Sequence, residues 1–267
     1  MVFCGASDKR NNVLIFTAGF KRTVTVPSGG FSLHSLDGPN VFYSTGQVFG
    51  LSGFSSSSSV GVWNFQNGGP LSGNSFMDIN RAGVISSGQT SGSATMGSNG
   101  RGTLQLTLPG GRTQAATLRM WDLRSAFFME GTQAVPGDDV NYGYLLPQML
   151  PSPFGSTDAA GTFHFRSWAP AIADAPFVAG SVTAAPGNPG SYSGDKDLSL
   201  LSGFTPKVSF TGSWSLTDPQ FGRASAITPG PGGTTLFFKS YYLTPKIQVG
   251  LSTTTGDRFS TPIALRF

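Results

Sequence analysis

Charge is what this chain has least of. Only 11% of its 267 residues are Asp, Glu, Lys or Arg, against roughly 25% in an average soluble domain. Twelve of the thirteen acids are Asp, the single Glu is Glu130, and there are six Lys. The strong polar helix formers are therefore nearly missing. That excludes a helical bundle, a coiled coil and most α/β enzymes. One cysteine, Cys4, allows no internal disulfide. No apolar run reaches the ~18 residues of a membrane-spanning helix. Met1-Val2-Phe3-Cys4 is too short for the apolar stretch of a secretory signal, and Phe3 is not the small residue that precedes a lipid-modified cysteine, so Cys4 reads as a chance cysteine. The net charge of +4 is scattered, and Lys9-Arg10 and Lys21-Arg22 are its only adjacent basic pairs. A nucleic-acid groove needs clustered Lys and Arg beside stacking aromatics, so no nucleic-acid partner is expected.

What the chain does have is 37 Gly, 18 Pro and 22 Phe, and it repeats itself. Gly61 and Gly180 lie 119 residues apart, as do Asp78 and Asp197. Gly92 and Gly212 differ by 120, while Gly100-Arg101 and Gly222-Arg223, like Pro109-Gly110-Gly111 and Pro231-Gly232-Gly233, differ by 122. Phe31, Gly38 and Phe42 match Phe154, Gly161 and Phe165 at 123. A co-linear set that includes Asp, Arg, Pro and Phe is hard to obtain by chance. It divides the chain into two units, 31–150 and 151–267, with 1–30 read as residual strands of a preceding copy or an N-terminal extension.

Within each unit the apolar residues alternate, the period of a sheet with one buried face. Val208, Phe210, Trp214 and Leu216 alternate with polar residues, and Ala94 and Met96 stand where the second copy has Trp214 and Leu216. Thr103 to Leu108 alternates again before Pro109-Gly110-Gly111, a turn suited to positive φ. Seven or eight short strands per unit, joined by short turns, predict an all-β fold. Each unit is expected to be an antiparallel meander, closed as a small up-and-down barrel or flattened into a sandwich.

Phe31 to Gly38 leading into Phe42, Gly61-Val62-Trp63 before an Asn-Gly-Gly turn, Phe76 to Asn80, Gly100 to Leu104 and Ala126 to Glu130 form a pattern. It resembles the glycine-rich tandem β-repeats of large exported proteins of soil bacteria. The first copy carries the resemblance; the second has diverged, with Gly222-Arg223-Ala224-Ser225-Ala226 in place of Gly-Arg-Gly-Thr-Leu. The resemblance implies an exported or cell-surface protein, extracellular or periplasmic. It carries over no catalytic residue.

The chemistry-bearing residues are few. His34 and His164 do not occupy matching positions and read as surface residues, too few for a catalytic zinc site or a Ser-His-Asp triad. A Cys4–His34 dyad would rest on a chain terminus. Glu130, Asp78, Asp122, Asp138 and Asp139 are the carboxylates available for glycosidase-type work. Asp78 and its counterpart Asp197 read instead as acids that fix a turn through local hydrogen bonds. Asp195-Lys196-Asp197 and Asp138-Asp139 offer too few oxygen ligands for calcium, and Gly97 to Gly102 is followed by no Lys-Ser/Thr and no helix, so it is not a phosphate loop. Trp63 and Trp214 fall on alternating strands and read as core. Trp121 and Trp168 are fixed by no pattern and are the candidate ligand-binding residues, as stacking surfaces. Phe259, Ile263, Leu265 and Phe267 alternate to the end of the chain as in outer-membrane barrels, but short strands and Pro262 oppose that reading. The expectation is a non-enzymatic structural or adhesive module with no cofactor and no metal. Its partners would be cell-surface polysaccharide or neighbouring repeats. The alternative is a binding protein that takes a small apolar ligand into a barrel or a glycan onto exposed aromatics.

Overall fold

A computed structural model of the chain describes residues 2–8, 13–19, 26–50, 53–68, 71–130, 139–168, 177–200, 203–230, 233–254 and 261–265. Two strands, β1 (Val2–Asp8) and β2 (Val13–Gly19), pair only with each other. The next eight are β3 (Gly38–Gly50), β4 (Gly53–Phe65), β5 (Leu71–Arg81), β6 (Val84–Met96), β7 (Arg101–Thr107), β8 (Thr113–Asp122), β9 (Ser125–Glu130) and β10 (Asp139–Pro147). They form a closed antiparallel meander in which β10 returns to β3. A second closed barrel follows: β11 (Gly161–Trp168), β12 (Phe177–Ala184), β13 (Gly190–Leu200), β14 (Gly203–Asp218), β15 (Arg223–Pro229), β16 (Thr235–Thr244), β17 (Ile247–Ser252) and β18 (Thr261–Leu265), with β18 pairing back to β11. The expected all-β fold is present, and of the two expected closures it is the barrel.

The alternation explains which side faces in. On β7, Leu104 and Leu106 are buried while Arg101, Thr103, Gln105 and Thr107 are exposed. The first interior is packed by Phe42, Trp63, Phe65, Phe128 and the leucines and methionines around them; Phe42 stacks on Trp63 with ring centroids 4.1 Å apart. The second is packed by Phe154, Phe163, Trp214, Leu216 and Tyr242. Trp63 and Trp214 are thus core, and Ala94 and Met96 pack inward in the first barrel as Trp214 and Leu216 do in the second. No helix among the described residues is long and apolar enough to cross a membrane.

The strands are longer than the alternation suggests: thirteen residues in β3, β4 and β6 and sixteen in β14. Glycine makes this possible by letting a long strand bend around the barrel. At Gly61 an added Cβ would lie 2.2 Å from the Phe76 carbonyl oxygen, and at Gly212 it would meet the Tyr192 ring at 2.4 Å. The turns follow their residues. Asn67 and Gly68 both have positive φ, as do Gly110 and Gly111; Pro231 and Gly232 of the matching turn lie outside the described residues.

Local hydrogen bonds recur in the two barrels at the spacings read in the sequence. Met120 N–H donates to the Gly100 carbonyl and Tyr242 N–H to that of Gly222. Leu108 N–H bonds the Arg112 carbonyl and Gly230 N–H that of Thr234. Before each barrel a backbone N–H, of Ser32 or Gly155, is accepted by a side chain three residues on, Ser35 or Asp158.

Candidate functional site

The most concentrated polar chemistry lies between the two barrels. The outer faces of β3 and β4 present Val41, Val60 and Val62; those of β16 and β17 present Tyr241, Leu243, Val249 and Leu251; together they form one buried apolar cluster. At its edge sits Asp78 on β5, fully buried. Arg223, at the start of β15, reaches across and grips its carboxylate with two bonds, Nη2 to Oδ1 at 2.7 Å and Nε to Oδ2 at 2.9 Å. Tyr241 donates its hydroxyl to Oδ2 at 2.7 Å, and Ser87 on the neighbouring strand donates to Oδ1 at 2.5 Å. The Arg223 guanidinium also lies over the Phe76 ring, 4.6 Å from its centroid. Burial works against the charge on Arg223, but the Asp78 carboxylate and the Tyr241 hydroxyl more than offset it, and its pKa rises. Burial, and then the Asp78 charge, hold the Tyr241 hydroxyl well above the usual tyrosine range. Further bonds close the seam: Asn80 Nδ2 to the Ser252 carbonyl at 3.0 Å, and Gln148 Nε2 to the Phe221 and Tyr242 carbonyls, both at 2.7 Å.

This corrects the reading of Asp78 as a turn-fixing acid. It stands in mid-strand on an outer face and binds a residue 145 positions away. Asp197 does fix backbone, but not in a turn: its carboxylate accepts the Lys207 backbone N–H at 2.8 Å, across the bulge between β13 and β14. The signal that separates the two was present in Arg223 and Tyr241, but nothing in the sequence says which surfaces meet.

The other acids are spread out. Glu130 points into the first barrel and accepts amide protons from Asn141 at 2.9 Å and Gln114 at 3.2 Å. Asp122 accepts the Leu123 N–H in the turn after β8. Asp78 is on the outside, so the structure does not bring these three carboxylates together. Asp138 lies outside the described residues, as does the side chain of Asp139. His34 is exposed and bonds Asp37 at 2.9 Å; Cys4 belongs to the separate β1–β2 sheet.

No protein-family model matches the chain, and no curated protein is significantly similar to it.

Trp121 lies near the end of β8, half-buried, and meets Tyr144 edge-on at 5.9 Å. Phe127 packs against the same ring at 5.9 Å and Tyr43 at 5.5 Å. Together with the exposed Met129 and Tyr142 they form an aromatic patch outside the first barrel, across β8, β9, β10 and β3. Burial pushes the Tyr43 hydroxyl up to about 12, Tyr144 adding to it and Arg166 opposing. Trp168 ends β11, opposite Thr261, in the other barrel; its side chain lies outside the described part. Two open concavities also occur in matching places, around Gly212, with Thr183, Thr211 and Ile227, and around Gly92, with Ser91, Gln105 and Leu106.

Proposed function

We propose that the chain is a non-enzymatic structural or adhesive module, a rigid pair of duplicated barrels within an exported or surface-exposed bacterial protein. The observation that carries this is the seam. Two barrels whose interiors are packed by their own side chains are joined by a shared apolar cluster and a buried Asp78–Arg223–Tyr241 group. Loosely tethered domains meet through smaller, more polar contacts and move relative to one another. A seam of this kind suits a protein whose output is shape. Export follows only from the resemblance to the glycine-rich β-repeats of exported proteins, while a repeated series is supported by the spacing of the recurring hydrogen bonds.

Calorimetry of the full chain tests the reading. The expected result is a single cooperative unfolding transition in the wild type and a split transition when Asp78→Ala removes the buried anion. Two independent transitions in the wild type, or turnover of a polysaccharide or ester by the purified chain, would overturn it.

The aromatic patch favours a second reading, a glycan-binding module. Trp121, Phe127 and Tyr144 offer ring surfaces of the kind that stack on sugars. Under that reading Trp121→Ala abolishes retardation in polysaccharide affinity electrophoresis while unfolding stays unchanged.

A further inference from the structure

The face with which the second barrel docks onto the first has a counterpart on the first barrel that the described residues leave open. In the second barrel Arg223 lies opposite Tyr241, and Tyr241 opposite Val249. In the first, Arg101 lies opposite Arg119, and Arg119 opposite Phe127. The docking residues Arg223, Tyr241, Leu243, Val249 and Leu251 therefore fall in register on Arg101, Arg119, Trp121, Phe127 and Met129, each 122 positions earlier. Of these, Arg101, Arg119 and Met129 are exposed and Trp121 and Phe127 are half-buried.

The receiving face has its counterpart too. Val60 lies opposite Asp78 on β4 and β5, and Ala179 opposite Asp197 on β12 and β13. Val60, Val62, Phe76 and Asp78 thus register on Ala179, Ser181, Asp195 and Asp197, 119 positions later. Asp197 is exposed and the other three are partly so.

We infer that these two unused faces bind each other between copies of this chain, repeating in trans the contact made once in cis and giving a head-to-tail assembly. The inference rests on the structural-module reading. Two features of the faces support it. Charge is complementary, with Arg101 and Arg119 on one side and Asp195 and Asp197 on the other. Size is complementary as well: where the cis seam sets Leu243 and Val249 against valines, the free faces set the larger Trp121 and Phe127 against Ala179 and Ser181. Because the two faces differ, the contact is heterologous and leaves one of each kind open at the ends, so the assembly does not close as a two-fold dimer does.

Sedimentation of the full chain up to about 1 mM, in low and high salt, tests this. The expected result is concentration-dependent association beyond the dimer, weakened by salt. The charge-reversed chains R101E/R119E and D195K/D197K each sediment as monomers, and their equimolar mixture associates again, because both contacts regain opposite charges. Calorimetry of each variant serves as a fold control, and Trp121→Ser, which alters no charge, provides a second way to weaken the contact. A wild-type chain that stays monomeric, association that either reversal leaves intact, or a monomer that uses Trp121 to hold a polysaccharide would overturn the inference. If the wild type is monomeric but still unfolds in one transition, docking between copies fails while the rigid two-barrel reading stands.

Discussion

Asp78 is a carboxylate with no access to water, and its stability contribution depends on what surrounds it. Removing one member of a buried ion pair leaves the other charge uncompensated, which costs about 3–5 kcal/mol. Asp78→Ala is therefore expected to lower stability by that amount in urea unfolding. Asp197→Ala, which removes one exposed bond to the Lys207 backbone, should cost about 1 kcal/mol or less. The two residues stand at matching positions in the sequence, so the difference between them is set by the surface opposite. Tyrosine supplies a second expectation. Tyr241 and Tyr43 have folded pKa values above the free value, so the folded state holds these protons more tightly. Their stabilising contribution is complete below about pH 10 and is lost as pH rises through the folded values. The urea midpoint should fall between pH 10 and 12, and Tyr241→Phe should flatten that decline.

The strands show how far sequence reasoning reaches at the next scale. Inward residues such as Leu104, Leu106, Trp63 and Trp214 were legible from alternation, and the turns at Asn67-Gly68 and Gly110-Gly111 from the need for positive φ. Strand length was not legible, because glycine and serine inside a strand look like the end of one. Ser55 to Ser59 show no alternation at all, yet they lie within β4, with Ser59 bonded to Ser44 at 2.6 Å across the first barrel's inner wall. Nor was the choice of barrel over sandwich, since closure depends on β10 meeting β3 and β18 meeting β11, pairings far apart in sequence that no local pattern encodes. The aromatic patch around Tyr144 was legible only through Trp121, because its other members alternate as ordinary strand residues. Gly61 offers the test at this scale. A methyl group there meets the Phe76 carbonyl and the Phe42 ring, so Gly61→Ala should cost about 1–3 kcal/mol, the range for overpacking. Loss of amide protection from exchange should centre on β4 and β5; protection lost evenly over both barrels would contradict the local origin of the strain.

At the scale of the whole molecule, the way each barrel closes sets how it responds to being pulled. In the first barrel the beginning of β3 and the end of β10 are neighbours, Asn40 opposite Pro147. In the second, His164 near the start of β11 lies opposite Leu265 at the end of β18. Chain entry and exit are therefore adjacent on two antiparallel, hydrogen-bonded strands. Tension between the ends of a barrel loads its ladder bonds one after another, as in opening a zipper, rather than all together in shear. Such a barrel is expected to open at a lower force than one loaded in shear. Residues 38–147 alone release roughly 110 residues of chain, near 370 Å at about 3.4 Å each. The Asp78–Arg223 grip and the apolar seam shield that line of weakness only while both barrels are folded, so the first barrel to open also weakens its neighbour. Under tension a chain of such units would lengthen in steps and absorb mechanical work before any covalent attachment was strained.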